Sequence, residues 1–109
     1  MSEFAAGNVF IRPNFMNEGD VIHGHAHTFD HVSYVISGAV RLVVRGQDGK
    51  PVTRIVQASD RVNWILIRAG VEHEITALMP DTRFHCIYAH RTPQGEVVQE
   101  YSGWEGAYV

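Results

Sequence analysis

Between Val21 and His90 the chain is a succession of short β-rich segments, each closed by a turn signal. No stretch carries the 3.6-residue apolar period for long enough to make a helix. The segments read as strands are Asn8–Arg12, Val21–Ala26, His31–Ser37, Val40–Arg45, Val52–Gln57, Asn63–Arg68, Glu72–Ala77 and Arg83–His90, with a further one near Glu96–Tyr101. Pro13 is expected to stop the first of these, because proline cannot donate to a ladder and belongs at a sheet edge. Asp48-Gly49 marks a hairpin tip. In Val40–Arg45 one face holds Val40, Leu42 and Val44, and the other holds Arg41, Val43 and Arg45. Asn63–Arg68 (NWILIR) is almost continuously apolar, so it should be buried on both faces or lie at an interface. Eight or more short strands with this turn spacing predict an all-β sandwich or barrel.

The 109 residues make one domain, 1–109, large enough for an ordinary core. At 45% hydrophobic and 19% charged residues the composition is that of a globular chain. A net charge of −3 with no basic run gives no case for nucleic acid. No apolar stretch reaches the roughly 20 residues that span a bilayer, and MSEFAAGN has neither the basic end nor the apolar run of a signal peptide. A cytoplasmic protein is the expectation. Cys86 is the single cysteine, which excludes an intrachain disulfide, and it reads as a small core residue.

Histidines supply the chemical signal. Of seven in the chain, four fall within Gly19–Gly38 (GDVIHGHAHTFDHVSYVISG), at His23, His25, His27 and His31. Residues i and i+2 of a strand point to one face, roughly 6.5 Å apart, so two imidazoles at that spacing can converge on one ion. After the turn at Thr28-Phe29-Asp30 the chain returns with His31 heading the next strand, and His73 follows the turn Arg68–Glu72. His25, His27, His31 and His73 are therefore the candidate metal ligands. The ordinary alternative for each is a solvent-facing or core histidine on a plain strand. His23 shares their parity one step outside and is placed beside them as a pocket or supporting group. His85 and His90 have opposite parity on the last strand, so only one of them can face the interior; His85 is kept as a second pocket candidate. Arg68 and Arg83 read as solvated strand ends.

Gly19, His25, His27 and Gly38 stand in the register of the first cupin motif, G-x5-H-x-H-x3/4-E-x6-G, with His31 where that motif has glutamate. Gly70 and His73 fit the second motif, around residues 59–77, while Arg68 and Ala77 occupy its proline and asparagine positions. The stretch resembles the cupin superfamily over a little more than half the chain. The resemblance implies a jelly-roll barrel, also described as a double-stranded β-helix, and a single divalent transition metal held by His25, His27, His31 and His73. It also implies a homodimer, as many small single-domain cupins are, and Tyr101, Trp104, Tyr108 and the apolar NWILIR strand fit that expectation.

Imidazole suits iron, manganese, nickel, zinc or copper, and the sequence does not choose among them. Histidine in place of glutamate removes one negative charge from the ligand set, which favours anionic oxygen ligands. Two function classes follow. One is a dioxygenase-like or isomerase-like enzyme acting on a small enolate or carboxylate compound; the other is a non-catalytic binding or sensor module. Because four neutral imidazoles would have to bind, metal affinity is expected to fall as pH drops through about 6.5.

Overall fold

Strand pairing begins at the N-terminus of the computed structural model, which describes residues 4–6, 8–46 and 48–97. Of the expected strand near Glu96–Tyr101 only Glu96 and Val97 are described, Val97 forming an isolated antiparallel bridge with Arg91; its remainder and the tail aromatics Tyr101, Trp104 and Tyr108 fall outside the described residues. Within them the chain forms β1 (Phe4–Ala6), β2 (Val9–Met16), β3 (Val21–His25), β4 (His31–Ser37), β5 (Ala39–Arg45), β6 (Pro51–Gln57), β7 (Trp64–Ile67), β8 (Glu72–Ala77) and β9 (Thr82–Ala89). No helix occurs among the described residues, and so none is long and apolar enough to cross a membrane.

The strands make two antiparallel sheets, one ordered β1-β2-β9-β4-β7 and the other β3-β8-β5-β6. Alternation decides what each buries. Val40 and Leu42 of β5, with Ile75 and Ala77 of β8, meet Val35 of β4 and Phe84 of β9 between the sheets. Leu42 and Phe84 are almost wholly buried, each contributing about 1.5–3 kcal/mol by leaving water. Arg41 and Arg45 face out, as their parity requires.

The chain passes from one sheet to the other at Gly38, between β4 and β5. Its φ of 75° lies in the left-handed region, and an added Cβ would run into Thr82 Oγ1 and come within 2.9 Å of the Thr82 Cα. Glycine is required there on both counts.

Three strand expectations change. Pro13 does not stop β2, which runs on to Met16 in register with β9, Pro13 facing His85. Among the described residues β1 covers β2 only as far as Ile11, so from Arg12 onward the one ladder they give β2 is that with β9, an edge at which proline is tolerated. The second change is β1 itself, too short to show in the sequence pattern. The third is β7, for which burial on both faces is excluded and an interface position is left: Ile65 and Ile67 turn inward, but Trp64 and Leu66 point out and are 47% and 43% exposed. β7 is the edge strand of its sheet and is buried on one face only.

Candidate metal centre

Two segments carry three of the histidines, and hydrogen bonds join them. The loop after β3 meets the turn before β8: Gly70 N–H donates to the His27 carbonyl at 2.8 Å, and Ala69 N–H to Asp30 Oδ1 at 2.7 Å. On the ladder itself His25 of β3 is the register partner of His73 of β8. The imidazoles of His25, His27 and His73 converge so that their ligand nitrogens all lie within 4.8 Å of one another.

Hydrogen bonds choose which nitrogen is free. His25 Nδ1–H donates to the His23 carbonyl at 2.9 Å, and His73 Nδ1–H to the Val71 carbonyl at 3.1 Å. A carbonyl only accepts, so Nδ1 carries a proton in both rings, and in their neutral form Nε2 is the nitrogen left to ligate. That is the arrangement a ligating histidine needs. His27 is held by stacking on Phe29, centroids 5.1 Å apart.

His31, from the opposite sheet, closes the group. Its ring lies 5.0 Å from that of His27 and 5.1 Å from that of His73. It is 3% exposed, and neither of its ring nitrogens has a hydrogen-bond partner. A buried polar atom left unpaired costs about 1–3 kcal/mol, which a bound cation would offset. Burial, reinforced by the His73, His27 and His25 charges, lowers its pKa to about 4, against the opposing pull of Asp30. Burial likewise lowers His27, helped by His25, His73 and Arg12. For His73 burial also dominates and lowers the pKa, opposed by the hydrogen bond to Val71. These three rings are thereby kept neutral at pH 7, as ligation requires. The residues present fit a divalent transition metal.

The cluster opens on a cavity of about 620 Å³ between the sheets. From β9 the wall receives Phe84, Cys86 and Tyr88, and from β2 it receives Arg12, Asn14 and Met16. Asn14 Nδ2 donates to Cys86 Sγ at 3.7 Å, and Ser33 Oγ lies 3.8 Å from the same sulfur. Burial raises the Cys86 pKa despite these contacts and the nearby Arg12, so the thiol stays protonated.

The sequence reading placed His25, His27, His31 and His73 together, and the structure brings them to one cavity end. His23 differs. Two residues of β3, His23 and Gly24, stand opposite the single Glu74 of β8, because Ile22 pairs with Ile75 and His25 with His73. This bulge breaks the period of two, so Ile22 rather than His23 shares a face with His25. The His23 ring is exposed and only its carbonyl serves the cluster. His85 also lies elsewhere: it alternates with the cavity-lining Phe84 and Cys86 and belongs to the outer face of β9. His90 stacks on Phe10 with centroids 5.9 Å apart. Arg12, Asn14 and Cys86 were not foreseen as cavity residues. The even parity of Arg12, Asn14 and Met16 signals them, once β2 is carried through Pro13.

The two-sheet architecture has close structural counterparts. A Bacillus subtilis oxalate decarboxylase structure, from work on its Mn(II) centres, superposes with a TM-score of 0.68, covering 78% of this chain and 22% of that one at 20% identity. The same enzyme at pH 4.6 gives a TM-score of 0.69 over 82% of this chain and 23% of that one, at 19% identity. The fold is the cupin fold. This chain spans less than a quarter of the length of those decarboxylase chains. No protein-family model matches the sequence, and no curated protein does. In the cupin fold described here, the histidine cluster sits inside the jelly roll at one end of the cavity, and the inner faces of both sheets contribute to it.

Proposed function

We propose that this cupin-fold chain binds one divalent transition metal (Fe, Mn, Ni, Zn or Cu) through His25, His27, His31 and His73. We further propose that it acts as a dioxygenase-like or isomerase-like enzyme on a small enolate or carboxylate compound. The observation that carries the reading is His31, buried with two unpaired nitrogens against a cluster of three converging imidazoles. The Mn(II) centres of the structurally similar oxalate decarboxylase support the metal class without selecting the metal. When bound, the metal would supply a Lewis acid that polarises a substrate oxygen.

The chain's own groups do the rest. The carbonyls of His23 and Val71 fix the tautomers of His25 and His73, and burial keeps His27, His31 and His73 unprotonated. Phe84 and Met16, both buried, give the cavity an apolar wall on the side away from the cluster.

One observation favours the alternative, a non-catalytic module whose metal is structural or receives a ligand. Asp20 is the one carboxylate among the cavity's described lining residues, and its Oδ2 accepts a hydrogen bond from Asn17 N–H. No second carboxylate stands among the described lining residues to serve as a general base. Oxygen uptake and absorbance, followed with Fe(II)-, Mn(II)- and Ni(II)-loaded protein against diketones, catechols and hydroxy acids, separate the two. Metal-dependent turnover that disappears in His27→Ala supports the enzyme; saturable binding without turnover supports the module.

A homodimer and a cytoplasmic location complete the proposal. The dimer is supported by the outer face of the five-stranded sheet, where Tyr34 is the register partner of Trp64 and both are exposed beside Ile36 and Leu66. An exposed apolar patch of this kind on a sheet face suits a second copy.

A further inference from the structure

His27 is held differently from the two histidines it converges with. His25 and His73 each donate Nδ1–H to a backbone carbonyl two residues earlier. His27 lies beyond the end of β3, and among the described residues no hydrogen bond reaches its ring. Its carbonyl accepts from Gly70 N–H, which fixes the main chain and leaves the side chain free to turn. A ligating imidazole must have its plane set, and a hydrogen bond to its second nitrogen is the usual means. Here a ring sets it: Phe29 stacks on His27 with 19° between the planes.

Phe29 is itself clamped. Tyr88, a cavity-lining residue of β9, packs against it with centroids 4.7 Å apart. Tyr88 stacks in turn on its register partner Phe10 at 5.0 Å. The Arg91 guanidinium carbon stands 5.2 Å from the Phe29 centroid, within the roughly 6 Å over which a cation is drawn to a ring face.

The guanidinium is anchored as well. Its Nη1–H donates to the Gly95 carbonyl at 3.1 Å. Gly95 belongs to a hook in which Arg91 bridges Val97. Within it Thr92 N–H donates to the Glu96 carbonyl and Gly95 N–H to the Thr92 carbonyl, both at 2.8 Å. The φ of Gly95, 86°, suits glycine and few other residues. A continuous set of contacts thus runs from Gly95 through Arg91 and Phe29 to His27.

Resting on the metal-site reading above, we propose that the hook from Arg91 to Val97 sets metal affinity through Phe29. Arg91 and Tyr88 hold the Phe29 ring, and Phe29 holds the His27 imidazole in the plane that ligation needs. Phe29 and Arg91 are positioning residues: a phenyl ring and a guanidinium cation offer a metal no donor atom. Stacking restricts the imidazole without engaging either of its nitrogens.

Charge and positioning make opposite predictions for Arg91. Removing a cation near a divalent ion would, by charge alone, tighten metal binding; loss of positioning weakens it. Ni(II) affinity against a competing chelator and the EPR spectrum of Cu(II)-loaded protein are measured for wild type, Phe29→Ala, Phe29→Tyr, Arg91→Gln and Arg91→Lys. Circular dichroism melts establish that each variant is folded, and should Phe29→Ala fail to fold, Arg91→Gln carries the test. Phe29→Ala should weaken Ni(II) by about tenfold or more and change the Cu(II) hyperfine splitting, whereas Phe29→Tyr keeps the ring and stays within about twofold. Arg91→Gln should weaken Ni(II) by about threefold, and Arg91→Lys should recover most of the loss. A merely structural role would lower the melting temperature and leave the spectrum of the folded, loaded protein unmoved. Wild-type affinity and spectrum in Phe29→Ala, or Arg91→Gln binding as tightly as wild type or tighter, would each overturn the proposal while wild-type uptake leaves the metal site standing. A wild type that takes up neither ion would remove the metal site and this proposal with it.

Discussion

His25 and His73 are register partners on β3 and β8, their ring centroids 4.3 Å apart, and each donates its Nδ1 proton to the carbonyl two residues before it. One local device, used twice, thus selects for both neutral rings the tautomer with Nε2 free to ligate. Because the ring of His25 is oriented by a carbonyl, the side chain of His23 is dispensable. We expect His23→Ala and His85→Ala to keep full metal content, and His25→Ala and His27→Ala to lose it. Elemental analysis of the four purified variants checks this; loss of metal in His23→Ala would place its ring in the site after all.

Acid should weaken the metal-free fold through His31. Its folded pKa of about 4 lies below the unfolded 6.5, so the unfolded chain binds the extra proton between those values. Stability is therefore full above about pH 6.5, falls as pH drops, and levels off below about 4, the loss from this group reaching about 3 kcal/mol. Urea midpoints from pH 7.5 to 4 measure it, and His31→Leu should flatten the dependence. The same depression, shared by His27 and His73, changes the expectation for metal affinity. These rings give up their protons at lower pH than free imidazoles do, so affinity should hold to lower pH than four free imidazoles would allow.

Gly38→Ala should destabilise the protein by about 1–3 kcal/mol, through a positive φ and a Cβ driven against Thr82. Gly24→Ala should be milder, because the added Cβ meets only the flexible end of Glu72. Thermal melts of the two variants compare them directly; equal midpoints would contradict the account of the sheet-to-sheet corner.

Trp64→Glu should convert a dimer, at twice the 12.2 kDa of one chain, to a monomer in light scattering at micromolar concentration. It places a charge in the middle of the exposed apolar face with Tyr34 and Leu66. A wild-type mass of 12.2 kDa would remove the dimer from the account.

Much of this architecture is legible in the sequence, because alternation and turn residues are local signals. The strand His31–Ser37 and the inward set Val40, Leu42 and Val44 follow from the period of two alone. The period fails where one extra residue enters. The bulge at His23 and Gly24 reverses the parity of His23, and nothing in the composition of Val21–His25 marks it except the glycine. Pro13 misleads in a different way. Whether proline ends a strand depends on whether a neighbour needs its missing donor, and among the described residues the pairing with β1 stops at Ile11. Arg12 and Asn14 were hidden by the same judgement, because a strand ended at Pro13 gives no reason to align them with Met16. The outward face of β7 is likewise a matter of position in the sheet: a run of Trp64 to Ile67 reads the same at an edge as at the centre.

The central claim is that His25, His27, His31 and His73 form one metal site, and metal stoichiometry tests it most directly. Protein purified without added metal and then equilibrated with Mn(II), Fe(II) or Ni(II) is desalted and analysed for bound ion, alongside His73→Ala and His31→Ala of matching circular dichroism. The account predicts about one tightly held ion per chain in the wild type, almost none in His73→Ala, and markedly weakened retention in His31→Ala against a competing chelator. A wild-type protein that retains none of the three ions, or a His73→Ala protein that retains them fully, would contradict it.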